Sequence, residues 1–374
     1  MTLAREMALE SEYVMGTFAR KPVEFVEGHG MTLIDDAGNE YLDSLSGIGV
    51  CSLGHCHPSI VQAVSDQAAK PIHVSNYYYI EHRGEVAQLL SNMLNAYVDE
   101  PSPETWKTFF ANSGAEANEC AIKLARLYAR RRTEAAGKDA ELAPRLVVTL
   151  AKSFHGRTLA TLAATAQPAK QEAFQPLPAG FTATPINDVE ALERLFETQG
   201  DRICAVMIEC IQGESGVWPC SLEYLKAARE MTSERGMLLI VDEVQTGFCR
   251  TGSYFAFQSY GIEPDIVTMA KGIADGIPMG AFAAKTDLAA LMQPGMHGTT
   301  FGGGPLACAA AAARASSASF FSCVRRLLSA AICERSPSKT EGLEGLGSST
   351  TSSTSCWLAA LASASAASRL FCSF

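Results

Sequence analysis

The chain of 374 residues lacks several features that mark other classes of protein. No run of about 18 apolar residues predicts a membrane span, and Met1–Ser11 lacks the basic and then apolar pattern of a secretion signal. Lysine and arginine form no basic stripe, and the formal net charge is -10, so the electrostatic footprint for nucleic acid is missing. We therefore expect a cytoplasmic protein that binds neither membranes nor nucleic acid.

The cysteines also lack a metal-binding arrangement. All 12 are scattered between Cys51 and Cys372 and never form the paired CxxC spacing of a zinc site. Buried free thiols are the favoured interpretation for a cytosolic chain. The two histidines within Gly54–Pro58 have no third or fourth ligand at suitable spacing, so we expect a structural turn there and no metal.

The apolar pattern predicts an α/β fold. Short alternating segments between Val23 and Leu45 predict small antiparallel strands. After Pro58, helices alternate with wholly apolar runs, which indicate strands buried on both faces of a mostly parallel central sheet flanked by helices. These runs are Thr108–Ala111, Leu146–Leu150, Ala205–Ile208, Leu238–Val241 and Ile266–Met269.

Polar residues follow each of these apolar runs. Open α/β sheets bind ligands beyond the carboxyl ends of their strands. The residues in question are Asn112 to Glu116, Phe154 to Arg157, Glu209, Asp242 and Lys271. Five strand ends therefore point a helix N-terminus, an arginine, two acids and a lysine towards one crevice.

The segment Ser113-Gly114-Ala115-Glu116 fits a capping box that opens a helix. Free N–H groups and the positive end of the helix dipole would then lie beside a strand terminus, where they suit a phosphate. A capping box alone marks only a helix start, so the phosphate interpretation depends on its neighbours.

Asp242 and Lys271 supply those neighbours. An unpaired carboxylate after a buried strand is costly, and a protonated pyridine nitrogen would satisfy Asp242; a structural acid that pairs with arginine or caps a helix is the alternative. Lys271 follows a strand and precedes Gly272, where burial lowers a lysine pKa and favours attack on an aldehyde, although most lysines simply lie in solvent.

Several sequence motifs, taken in their order along the chain, resemble those of a known family. They are Ser46–Val50, Gly54–Pro58, Phe110–Glu119, Phe154–Arg157, Glu209–Glu214, Asp242–Gly247, Met269–Gly272 and Thr299–Gly303. From Glu12 to about Ala313 the sequence resembles the class III, or acetylornithine and ornithine, aminotransferases among the fold-type I pyridoxal-phosphate enzymes. It is most similar to the acetylornithine branch.

The resemblance implies pyridoxal 5'-phosphate as cofactor, with Lys271 as its covalent anchor and the catalytic base. The implied cofactor-binding residues are Ser113, Gly114, Ala115, Phe154, Asp242, Val244, Gln245, Lys271 and Thr300. Gly114 and Ala115 would hold the phosphate through their amides, and Thr300 would complete that site from a partner subunit. Phe154 would stack on the ring, Val244 would pack on it, and Gln245 would donate to its phenolic oxygen.

The resemblance also implies how substrates bind. Arg157 would hold a substrate carboxylate, and Glu214 would be a switch acid that neutralises a second arginine when a substrate lacks the matching carboxylate. Ser46 and Gly47 would complete the substrate site. A homodimer is expected because the family's sites lie between subunits.

The implied function is transfer of the terminal amino group of N-acetylornithine, or a similar omega-amino acid, to 2-oxoglutarate. The products are glutamate and a semialdehyde, and the pathway is arginine biosynthesis. The alternatives are an ornithine or GABA aminotransferase, a related aminomutase or racemase, and a disrupted gene product that binds cofactor without activity.

The end of the chain departs from the family. We divide the chain into an N-terminal segment of residues 1–60, a large pyridoxal-phosphate-binding domain of residues 61–313 and a tail of residues 314–374. The tail is rich in serine and alanine, and Ser348–Ser355 is close to a Ser/Thr homopolymer. A C-terminal lobe with a second carboxylate-binding arginine is expected instead, so we hypothesise a shifted reading frame or a faulty gene model. Translation of the DNA in its other two frames tests this idea, which fails if neither frame yields that lobe.

Overall fold

A computed structural model describes residues 3–96, 105–214 and 216–317. Its strands are β1 (Phe25–His29), β2 (Thr32–Asp35), β3 (Glu40–Leu42), β4 (Trp106–Ala111), β5 (Leu146–Leu150), β6 (Phe181–Thr184), β7 (Ile203–Ile208), β8 (Ile211–Gln212), β9 (Trp218–Pro219), β10 (Leu238–Asp242), β11 (Ile266–Met269) and β12 (Gly280–Lys285). Its α-helices are α1 (Leu3–Tyr13), α2 (Ser46–Gly49), α3 (Pro58–Ala68), α4 (Arg83–Leu94), α5 (Gly114–Ala135), α6 (Leu159–Ala164), α7 (Pro168–Gln171), α8 (Val189–Gln199), α9 (Leu222–Glu234), α10 (Ala256–Tyr260), α11 (Thr286–Ala289) and α12 (Pro305–Ser316).

The central sheet confirms the predicted fold class. In the described part of the chain its strand order is β4-β12-β11-β10-β7-β5-β6. Strands β5, β6, β7, β10 and β11 run parallel to one another, and β12 lies antiparallel to both β11 and β4. All five apolar runs of the sequence form strands of this sheet. Because β12 runs in the opposite direction, its first residue, Gly280, lies at the same edge as the carboxyl ends of the other strands and pairs with Ala111.

The strands are buried on both faces, as their apolar composition predicts. Along β7, Ala205 and Met207 pack into the apolar layer that contains α5, whereas Val206 and Ile208 pack into the layer on the opposite face. A strand with this pattern has no solvent-facing side, which explains why polar residues are confined to its ends.

The N-terminal part forms the predicted antiparallel strands, with β2 between β1 and β3. Within Gly54–Pro58, the His55 ring lies 2.6 Å from the Asp43 carboxylate, and its backbone bridges to Gly30. None of the described helices combines the length and apolar character needed to cross a bilayer.

The expected boundary at residue 313 falls inside helix α12, which continues to Ser316. The division into residues 1–60, 61–313 and 314–374 stays a prediction. The arginines of the tail for which the sequence offers no motif, Arg325, Arg326, Arg335 and Arg369, lie outside the described residues, as does Ser348–Ser355.

Candidate active site

A cavity of about 1000 Å³ opens beyond the carboxyl ends of the central strands. Its lining includes Ser46, Ser113, Gly114, Ala115, Phe154, Arg157, Glu214, Asp242, Val244, Gln245 and Lys271. The structure therefore brings together all the predicted site residues except Gly47 and Thr300. Gly47 is next to the lining residues Ser46 and Ile48. Thr300 is exposed and is not a lining residue, although its neighbour Thr299 accepts a hydrogen bond from the lining residue Asn112 at 3.2 Å. The roles assigned to these residues remain predictions.

Helix α5 begins at the cavity with the predicted cap. The Ser113 hydroxyl accepts from the Glu116 amide at 3.2 Å. The Glu116 carboxylate accepts from the amide of Asn112 at 2.7 Å, one residue before the expected cap amide. The amides of Gly114 and Ala115 belong to the first turn, where N–H groups have no acceptor within the helix. The helix therefore presents free donors to the cavity.

Two close contacts at glycine residues hold the start of α5 against its neighbours. A Cβ added at Gly114 would lie 2.8 Å from both methyl groups of Val244. A Cβ added at Gly280 would lie 2.2 Å from the Ser113 carbonyl oxygen, a backbone atom that cannot move freely. Glycine at both positions lets the helix start, the end of β10 and the start of β12 meet at one wall of the cavity.

Asp242 is held by three hydrogen bonds at the end of β10. Its Oδ2 accepts from the Asn118 side-chain amide and from Nδ1 of His155, each at 2.8 Å, and its Oδ1 accepts from the Val244 amide at 3.0 Å. Burial alone would lower the pKa of His155, but the hydrogen bond and charge of Asp242 outweigh it and raise that pKa. The carboxylate, which is 3% exposed, is thus fixed at the cavity wall.

Lys271 follows β11 in a strained backbone conformation with φ of 39°. Burial lowers the pKa of its amine, while the charges of Asp242, Glu209 and Glu214 act in the opposite direction. The amine donates to the side-chain oxygen of Gln245. A lysine with a lowered pKa carries more of the neutral amine that can act as nucleophile or proton acceptor than a lysine in solvent does.

Glu209 is a buried acid of the site to which the sequence gave no role beyond its place at a strand end and in the motif Glu209–Glu214. It is 4% exposed and accepts from the Phe154 amide at 2.9 Å. Burial raises its pKa to about 7, although the charge of His155 lowers it in part. Its position explains how the backbone of Phe154 is held at the cavity.

Two arginines line the cavity. The Arg157 guanidinium lies 5.8 Å from the Phe154 ring and forms no ion pair within the described chain. Arg250 donates to the Gly49 carbonyl at 2.6 Å, and burial lowers its pKa. Arg250 was not predicted as a site residue, because it lies in a turn well after β10 and does not directly follow a strand.

The pairing of Glu214 differs from the expected one. Its Oε1 forms an ion pair with Lys170 of α7, and no arginine contacts it in the described residues. His155 and Asn118 were also missed, although each lies within a motif noted in the sequence. Their contacts with Asp242 span 87 and 124 residues, a separation that no local pattern reveals.

These residues fit pyridoxal phosphate. The free first-turn amides of Gly114 and Ala115 suit its phosphate, the fixed carboxylate of Asp242 suits a protonated ring nitrogen, and the lowered pKa of Lys271 suits its aldehyde. Phe154 and Val244 supply apolar surface to the same cavity.

Comparisons with known proteins agree with this fit. Residues 17–318 match the class III aminotransferase family model. The acetylornithine aminotransferase of Caldanaerobacter subterraneus subsp. tengcongensis is 48% identical over 301 residues, which are 80% of this chain and 72% of that protein. That of Methanocaldococcus jannaschii is 46% identical over 302 residues, or 81% of this chain and 71% of that protein.

Solved structures are similar as well. The ornithine aminotransferase of Toxoplasma gondii ME49 superposes with a TM-score of 0.75 at 32% identity, covering 87% of this chain and 72% of that one. The acetylornithine aminotransferase of Elizabethkingia anophelis gives a TM-score of 0.69 at 31% identity, covering 84% and 72%. The chain therefore belongs to the class III aminotransferases, which are pyridoxal-phosphate-dependent enzymes that act on an amino donor and a keto acid.

Proposed function

We propose that this enzyme transfers the terminal amino group of N-acetylornithine to 2-oxoglutarate, giving glutamate and a semialdehyde in arginine biosynthesis. The observation that carries the proposal is the meeting of Lys271, Asp242 and the start of α5 in one cavity that Arg157 also lines. The relatives at 44–48% identity, each an acetylornithine aminotransferase, support the choice of donor.

Each residue has a part in this chemistry. Pyridoxal phosphate, when bound, supplies an electron sink for the carbon that loses its proton. Asp242 would hold the ring nitrogen protonated, and the amides at Gly114 and Ala115 would hold the phosphate. Lys271 Nζ would take the proton from the substrate carbon that bears the amine and later return one. Arg157 would orient the substrate by binding a carboxylate with its two-pronged guanidinium.

Glu209 and His155 would act indirectly, through other residues of the site. His155 and Asn118 hold the Asp242 carboxylate in place, and Glu209 fixes the backbone of Phe154. Charges fixed in this way need no reorganisation during the reaction, which is the condition for strong electrostatic stabilisation.

The proposal includes a homodimer in which Thr300 completes the phosphate site of the partner subunit. An exposed aromatic patch beside Thr300 supports it: the Tyr77 side chain is 95% exposed and Phe301 is 66% exposed. The Asn76 amide joins these two segments by donating to the Thr299 carbonyl at 2.9 Å. Apolar patches of this kind commonly mark subunit interfaces. We also place the enzyme in the cytoplasm, because the described cysteines are free thiols, as in reducing compartments.

Ornithine is a second candidate donor, because the similar solved structures include the ornithine aminotransferase of Toxoplasma gondii, at 32% identity and a TM-score of 0.75. A steady-state assay of the purified protein with 2-oxoglutarate separates the candidates. The donors are N-acetylornithine, ornithine and γ-aminobutyrate, and glutamate formation is measured. We expect the highest kcat/KM with N-acetylornithine. A higher value with another donor reassigns the substrate, and turnover without glutamate indicates a mutase or racemase.

A further inference from the structure

Lys170 neutralises an acid that lines the active-site cavity. Glu214 follows β8, and its Oε1 forms an ion pair with the Lys170 amine. The exposed fractions of the two side chains are 21% for Lys170 and 37% for Glu214, so the pair is only partly screened by solvent. Lys170 lies on α7, which no cofactor-binding or substrate-binding motif of the sequence includes.

Lys170 and Arg157 both approach the Phe154 ring. The Lys170 amine is 5.0 Å from the centre of the Phe154 ring, and the Arg157 guanidinium is 5.8 Å from the same centre. Both cations therefore lie near one ring. Glu214 and Arg157 line one cavity and carry opposite charges, so each lowers the electrostatic energy of the other.

The backbone around Lys170 is anchored. Pro168 begins α7, where its fixed φ favours the first helical turn. The Gln171 side-chain amide donates to the Leu162 carbonyl at 3.0 Å and to the Thr165 carbonyl at 2.7 Å, which ties α7 to the end of α6. The backbone that carries the Lys170 side chain is therefore held in place.

We propose that Lys170 is a positioning residue that holds Glu214 away from Arg157 and so keeps this arginine open to a substrate carboxylate. The inference rests on the proposed function, because it assigns Arg157 a carboxylate ligand. Without Lys170, the unpaired Glu214 carboxylate shares the cavity with Arg157, whose guanidinium binds carboxylates with two parallel hydrogen bonds. Glu214 would then compete with the substrate.

Glutarate, an unreactive five-carbon dicarboxylate, tests this inference by direct binding. Isothermal calorimetry on the cofactor-loaded enzyme compares the wild type with Lys170→Met and Lys170→Arg. We expect Lys170→Met to weaken glutarate binding about threefold to tenfold, because the Glu214 carboxylate that it releases from a partly exposed ion pair then competes for Arg157. Lys170→Arg keeps the charge and should bind within about twofold of the wild type. An unchanged affinity in Lys170→Met overturns the inference.

Lys152→Met is the matched control. Lys152 lies over the Trp218 ring at 5.7 Å and forms no ion pair with Glu214, so its loss removes one positive charge, as Lys170→Met does, without releasing the acid. We expect glutarate affinity to stay at the wild-type value. An equal loss in Lys152→Met and Lys170→Met overturns the inference, because it would reflect net charge alone.

The double variant Lys170→Met with Glu214→Gln decides between competition and structural damage. A neutral glutamine cannot pair ionically with Arg157, so glutarate binding should return to within about twofold of the wild type. In turnover, Lys170→Met should raise the KM for 2-oxoglutarate more than it lowers kcat. If the glutarate affinity of the double variant does not recover, the inference is overturned. The proposed function is tested separately, because glutamate formation by the wild type still supports it in that case.

Discussion

The buried carboxyl of Glu209 should make the free energy of unfolding of the enzyme decrease as the pH rises from acid to neutral. Burial raises its pKa from 4.5 to about 7, so the unfolded chain loses the proton before the folded one does. In this interval the folded state binds more protons, and the free energy of unfolding therefore decreases as pH rises. At about 1.4 kcal/mol per pKa unit, the shift corresponds to roughly 3 kcal/mol above neutral pH.

Glu209→Gln removes this titration and keeps an acceptor for the Phe154 amide, which the wild-type carboxylate binds at 2.9 Å. We expect the variant to match the wild type near about pH 4.5 and to be more stable by roughly 3 kcal/mol near about pH 8. Urea unfolding at both pH values, in excess pyridoxal phosphate, measures the difference. Glu197→Gln, an exposed position on α8, is the control and should give no pH-dependent gain. A gain of equal size at both pH values, or a less stable variant near pH 8, would refute the reasoning.

Two further substitutions probe the site. Asp242→Asn should lower kcat at least about a hundredfold in the glutamate-forming assay, since it removes the charge that Asn118 and His155 hold in place; a loss below tenfold contradicts the role assigned to this carboxylate. Gly280→Ala should weaken pyridoxal-phosphate affinity about tenfold in a fluorescence titration, because its Cβ meets the Ser113 carbonyl at 2.2 Å. Gly298→Ala, where the added Cβ meets nothing within 4 Å, is its control, and equal affinities in the two variants would show that the helix start is not the sensitive element.

Much of the sheet could be predicted because buried parallel strands leave an unmistakable apolar run. Strand β12 was not predicted, since its sequence Gly-Ala-Phe-Ala-Ala-Lys has few β-branched or aromatic residues. It forms because β11 and β4 supply partners on both sides. Tertiary pairing overrides weak local propensity there.

The site could be predicted where one strand end carries one chemical group, as for Asp242 and Lys271. The groups that support them could not, because they come from distant segments. Lys170 reaches Glu214 across 44 residues, and Arg250 reaches Gly49 across 201. Such contacts depend on how α7 and the turn after β10 pack, and no periodicity in the sequence encodes that packing.

Lys271 is the residue that we expect to attach the cofactor covalently. Borohydride reduction of the enzyme with pyridoxal phosphate, followed by peptide mass spectrometry, tests this expectation most directly. We expect a pyridoxyl-phosphate group on the peptide that contains Lys271, and none on the Lys271→Ala variant at equal cofactor concentration. A label on a different lysine, or an unlabelled Lys271 in a protein that forms glutamate, would contradict it.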